Sequence, residues 1–135
     1  MVDLRLIDLA IILDRELDRV KLKDVLAMMR DMQAWKTYVV VCEAGKVLGG
    51  CVLKEHLPQS EDENQNTFVE ISLIAIDGPS QLFNLGSALI KTLKSEYAHL
   101  VTHADNKAAR FFAKMGFKYV PLRSERRDIL PCELQ

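Results

Sequence analysis

Apolar residues recur at helical spacing over residues 4 to about 17 and again over residues 21–33, where Leu22, Val25, Leu26, Met29 and Met32 fall on one face. Two packing helices are expected there, the methionines reading as core filling rather than as an adaptable ligand groove. The period then changes. Residues 37–42 and 46–53 are rich in β-branched positions and flank Glu43-Ala44-Gly45, which predicts an antiparallel hairpin closed by a glycine turn. Gly49 and Gly50, inside the second strand, mark a bulge or a close backbone contact. Residues 58–66 are polar without an apolar period, so a loop is expected there, the most mobile part of the chain. The pattern continues with a strand over 68–76 and a helix from about 85 to 97 carrying Leu85, Leu89 and Leu93, followed by a short buried strand at 100–102 and a helix from about 106 to 115. Gly116 stands where a helix commonly exits through a left-handed residue. Strand, helix and strand in that order imply a parallel crossover of right-handed sense.

Length and composition narrow the class. A chain of 135 residues that is 49% hydrophobic has a single-domain length, residues 1–135, and buries roughly two thirds of its unfolded surface in one core. No apolar run approaches the roughly 20 residues a membrane helix needs, and Asp3 and Arg5 do not suit a signal peptide, so neither membrane insertion nor secretion is expected. The net charge of −1 supplies no basic face for direct nucleic-acid binding. The acidic run Glu61-Asp62-Glu63 is compatible with a basic peptide partner, although a solvated hairpin loop is the commoner meaning of such a run. Cys42, Cys51 and Cys132 lack the spacing of zinc ligands or of a disulfide framework. They read as core residues in a reducing compartment, and no residue set suggests a metal.

The candidate chemistry lies between Phe68 and Ala88. Glu70 interrupts an apolar strand, which leads through Asp77-Gly-Pro-Ser into Gln81-Leu-Phe-Asn-Leu-Gly86-Ser-Ala. A helix that opens on small residues presents unpaired N–H groups and the positive end of its dipole to an anion. A carboxylate just upstream then suggests a base beside a nucleotide-like cofactor. Desolvation by Phe68 and Ile71 is expected to make that carboxylate a better proton acceptor. His103 reads as a polar packing residue. No Ser or Cys has a base motif beside it, so no covalent enzyme intermediate is expected.

Four motifs in order carry a resemblance. They are Phe68-Val-Glu70-Ile71, Gln81-Leu-Phe-Asn84-Leu-Gly86, Ala104-Asp105 through Phe117, and Leu130-Pro-Cys132-Glu-Leu134. With them the chain resembles the GNAT superfamily of acyl-CoA-dependent N-acetyltransferases, and within it the PCAF-type nuclear histone acetyltransferases, over about three quarters of its length. The resemblance implies an α+β GNAT fold: a mixed, mostly antiparallel central sheet with a parallel crossover at the acyl-CoA cleft and helices on both faces. It also implies acetyl transfer from acetyl-CoA to a lysine side-chain amine, with Glu70 as general base. The backbone at Ile74, Ala75 and Ile76 would hold the pantetheine arm and polarise the thioester carbonyl. Gln81, Leu82, Phe83, Asn84, Leu85, Gly86 and Ser87 would cradle the pyrophosphate, and Asn106, Ala108 and Phe111 would flank the cofactor.

Two positions depart from the pattern. Asn84 replaces its first glycine and, as the non-glycine residue most tolerant of positive φ, is expected to keep the turn's shape with weakened binding. Phe111 stands where many members place a proton-donating Tyr, which leaves the thiolate to water or to unassisted departure. Phe112 and Phe117 are expected in the core. By the same resemblance the substrate is a histone tail, the partners are coactivator-complex subunits and the location is the nucleus. The alternatives are acetylation of a small amine, such as an amino sugar or polyamine, and a non-catalytic acyl-CoA-binding module.

Overall fold

The computed structural model describes residues 3–56, 67–119 and 131–134. The expected loop at 58–66, with its acidic run 61–63, lies outside them. Helix α1 (Leu4–Glu16) is capped by Asp3, whose carboxylate accepts the Arg5 N–H at 2.9 Å. Helix α2 (Leu22–Arg30) stops before the apolar period does. Asp31 ends it: its backbone carbonyl accepts the N–H groups of Ala34 and Trp35, and its side chain accepts Ala34 as well. This local bonding competes with a further helical turn and leaves Met32 80% exposed instead of in the core.

The hairpin strands are β1 (Trp35–Val41) and β2 (Val47–His56). They are followed by β3 (Phe68–Ile76), a 3-10 turn at Gly78–Phe83, α3 (Leu85–Glu96), β4 (Leu100–His103), α4 (Asn106–Lys114), β5 (Phe117–Tyr119) and β6 (Pro131–Leu134). These strands form one sheet in the order β1-β2-β3-β4-β6-β5, antiparallel throughout except for the parallel pair β3–β4. Helices α3 and α4 cover one face through Ile90, Leu93 and Phe112 against Leu53, Val69, Ile71, Leu100 and Phe117. Helices α1 and α2 cover the other through Leu9, Leu13, Val25 and Met29 against Val47, Val52 and Ala75. A fully buried Leu or Ile contributes on the order of 2 kcal/mol, so both faces carry weight in holding the sheet. The architecture is the expected α+β arrangement, a mixed, mostly antiparallel sheet with helices on both sides.

Gly49 and Gly50 are sites of close backbone contact. A Cβ at Gly49 would lie 2.5 Å from the Ala75 carbonyl oxygen, and one at Gly50 would lie 2.1 Å from that of Tyr38. The register shifts occur elsewhere, between Val40 and Val41 and between Val52 and Leu53. The second shift leaves Ser72 of β3 without a partner on β2. It also inverts the strand's alternation: Val69 and Ile71 face α3 and α4 before it, whereas Leu73 and Ala75 face α1 and α2 after it.

The cysteines divide. Cys51 is fully buried, and burial pushes its thiol up to about 12, so it stays protonated in the core. Cys42 is only half-buried beside the hairpin turn and is not a core residue, because β1 ends at Val41. The side chain of Cys132 lies outside the described set.

Candidate active site

Strands β3 and β4 pair over three positions only, Val69 with Leu100, Glu70 with Val101 and Ile71 with Thr102. The buried Thr102 hydroxyl closes this short ladder by donating to the Ile71 carbonyl at 3.0 Å. Beyond Ile71, β3 continues to Ile76 with no partner on that edge among the described residues. The edge therefore offers backbone N–H and C=O groups to a ligand over the stretch that contains Ile74, Ala75 and Ile76.

The turn that follows is tied back to the strand. The Gln81 side-chain amide donates to the Ile76 carbonyl at 3.0 Å, so this residue shapes the turn through its side chain. Phe83 closes the 3-10 turn with its ring 72% exposed, and the Leu82 side chain lies outside the described set. Asn84 adopts φ 56° and ψ 29°, the left-handed conformation that a glycine would supply, so the turn keeps the shape expected of it. Its side chain makes no capping bond, and the N–H groups of Leu85, Gly86 and Ser87 have no partner within α3. Helix α4 differs, because Asp105 caps it by accepting the Ala108 N–H at 2.8 Å.

Three elements meet at Gly86. A Cβ placed there would lie 3.5 Å from the Phe111 ring and 3.8 Å from Ile76, so the end of β3, the start of α3 and the face of α4 converge on a glycine. Phe111 is half-buried there, while Phe112 and Phe117 are core residues as expected. The Asn106 side chain lies outside the described set. The β3 edge and the first turn of α3, both unpaired among the described residues, and the missing Cβ at Gly86 together suit an elongated ligand bearing an anionic group.

Glu70 lies at the other end of the same strand, and its surroundings are more polar than the sequence suggested. Its Oε1 is 2.8 Å from His56 Nε2, and Ser72 Oγ donates to Oε2 at 3.3 Å. Lys54 is directly opposite on β2, but its ammonium lies over the Trp35 ring, 5.3 Å from the centroid. The carboxylate is 24% exposed. His56 was not foreseen, because the polar run Lys54-Glu55-His56 reads as the end of a strand. Its one signal was the alternation Val52, Lys54, His56, which continues a single face of β2. His103 sits exposed at the end of β4. No group of three or more His, Cys, Asp or Glu that could hold a metal occurs among the described residues.

Residues 16–131 match the acetyltransferase (GNAT) domain family, and the chain belongs to it. It is thus an acetyl-CoA-dependent acetyltransferase domain. No curated protein is similar to it by sequence alone. Among solved structures, GCN5 of Tetrahymena superposes with a TM-score of 0.76 at 23% identity, over 96% of this chain and 86% of that one. The Bacillus subtilis N-acetyltransferase YlbP, solved in complex with coenzyme A, gives 0.68 at 19% identity, over 90% and 86%. An acetyltransferase of Trypanosoma brucei gives 0.68 at 20% identity, over 93% and 94%. At these identities the likeness is one of fold.

The left-handed Asn84 yields a prediction. Asn84→Gly is expected to leave the KM for acetyl-CoA within about twofold or to lower it, because the conformation costs glycine nothing. Asn84→Val puts a β-branched residue in that conformation at a cost of about 1–2 kcal/mol and is expected to raise that KM several-fold. Steady-state kinetics at saturating amine check both. Equal KM values for the two variants would show that the turn's shape does not matter to the cofactor.

Proposed function

We propose that this chain is a lysine acetyltransferase of the PCAF type acting on a histone tail, with Glu70 as general base. The observation that carries the catalytic part is the placement of Glu70 on the strand whose far half forms the open edge, so that one element positions both base and acyl donor. A lysine amine, with a reference pKa near 10.4, must lose a proton before it can attack. Glu70 accepts that proton. The nitrogen lone pair adds to the thioester carbonyl carbon, the C–S bond breaks, and the second proton of the now cationic nitrogen passes through water to the departing thiolate, since Phe111 has no proton to give. A backbone N–H of the β3 edge, within Ile74–Ile76, stabilises the oxygen as its negative charge develops. The turn from Gln81 to Ser87, with its free N–H groups, holds the pyrophosphate, and Asn106, Ala108 and Phe111 border the cofactor from α4.

The choice of lysine in a histone rests on the four ordered motifs, and the fold likeness to Tetrahymena GCN5 agrees with it. On this reading the chain works in the nucleus, recruited by other subunits of a coactivator complex. The test is CoA thiol release from acetyl-CoA with a lysine-bearing histone-tail peptide, run beside a polyamine and an amino sugar. Peptide-dependent turnover that rises with pH is the expected result. Turnover on the small amines alone would overturn the histone assignment, and saturable acetyl-CoA binding without turnover on any amine would overturn the enzyme reading.

A further inference from the structure

We propose that His56 is the positioning residue of the Glu70 carboxylate and that Phe68 braces it. The inference rests on the reading of Glu70 as the base. An ionised carboxylate can only accept hydrogen bonds, so the 2.8 Å contact requires the His56 Nε2 to carry a hydrogen. The imidazole plane is itself held. The Phe68 ring stacks on it at a centroid distance of 4.6 Å and an interplanar angle of 11°. Phe68 is an apolar ring left 37% exposed at the strand end, outside both core clusters, and this stack accounts for its place in the motif.

Register explains how the three residues meet. His56 pairs with Phe68 across β2 and β3, and Glu70 is two residues further along the same face. Other groups leave the carboxylate to this contact. Lys54, its direct cross-strand partner, is held over Trp35; Val101 stands opposite on β4; Glu133 follows in the same cross-sheet row by backbone register; and Ser72 gives a longer bond at 3.3 Å. Among the described residues, no Lys or Arg lies within ion-pair distance of Glu70. A glutamate with three rotatable bonds at a strand surface samples many orientations, and a misplacement of about 1 Å can cost on the order of 100-fold in rate. One strong bond to a braced ring removes much of that freedom.

The test compares His56→Leu, His56→Gln and Phe68→Ala with Glu70→Gln and with the double variant His56→Leu/Glu70→Gln. His56→Leu is expected to lower kcat about 10- to 100-fold with the KM for acetyl-CoA within about twofold. His56→Gln, which keeps an N–H donor, is expected to recover most of the loss. The double variant should be no slower than Glu70→Gln alone, because His56 acts only through that carboxylate. An unchanged kcat in His56→Leu, or equal losses in His56→Leu and His56→Gln, would overturn the proposal. If Glu70→Gln itself keeps full kcat, the base reading fails; if Glu70→Gln fails to turn over while His56→Leu is normal, only the positioning role falls. Nitrogen-15 NMR of the unsubstituted protein gives a readout independent of turnover. A hydrogen on His56 Nε2 is expected, and a ring bearing its sole hydrogen on Nδ1 would overturn the assignment.

Discussion

Glu70→Gln is expected to lower kcat by roughly 100- to 10,000-fold, the range that a positioned general base contributes, if Glu70 acts as proposed, while acetyl-CoA affinity stays within about twofold. Gln is nearly isosteric with Glu. Its carbonyl can still accept from His56 and its amide still reaches Ser72, so the strand and its neighbours stay in place and the lost element is the proton acceptor. The partly exposed setting makes large structural compensation unnecessary. Single-turnover measurement with a lysine peptide isolates the chemical step from product release. The unsubstituted protein should speed up as pH rises and more amine is deprotonated, and the residual rate of the variant should follow the free-amine fraction alone. A variant with full kcat and an unchanged pH profile would remove Glu70 from the mechanism.

The second large effect is on stability. Gly50→Ala is expected to destabilise the fold by about 3 kcal/mol or more, because the added methyl meets the Tyr38 carbonyl oxygen at 2.1 Å and Leu9 at 2.9 Å. A backbone oxygen cannot rotate aside as a side chain can, so β1 must move off β2. Gly45→Ala is the natural control. Gly45 has φ +84°, with nothing within 4 Å of an added Cβ, and is expected to cost only about 1–2 kcal/mol for the left-handed conformation. Thermal melts of the two variants should differ clearly, since 1 kcal/mol is worth about 3–5 °C at this chain length. Equal melting temperatures would show that the hairpin relaxes around Gly50 at little cost. The neighbouring Gly49 faces the Ala75 carbonyl at 2.5 Å, so a side chain there would press on the segment proposed to hold the acyl donor.

Most of the elements, and their order, were legible because the local signals were strong and agreed with one another. The 3.6-residue period of α1 and α3, the β-branched hairpin around Gly45 and the strand–turn–helix run from Phe68 are all encoded within a dozen residues. The shape of the turn after β3 was legible for the same reason. Asn84 was expected to take a positive φ in place of glycine, and it does. Errors came where a side chain or a distant strand overrode the local pattern. Asp31 bonds Ala34 and ends α2 early, taking Met32 out of the core, and β2 extends through Lys54-Glu55-His56 because β3 offers three more ladder partners.

The sequence by itself determined the helical and strand periods, the α+β class, the placement of a carboxylate upstream of an anion-ready turn, and the family. Each of these depends on residue type and short-range spacing, which the chain carries locally. Only the tertiary structure decided that β6 inserts between β4 and β5, and that β3 parts from β4 after Ile71. It alone decided that a register shift at Ser72 inverts the faces of β3, and that His56, fourteen residues before Glu70, bonds its carboxylate. Those outcomes depend on which backbone edges meet and in what register. Strand pairing is a contest among distant segments whose partners no local pattern names.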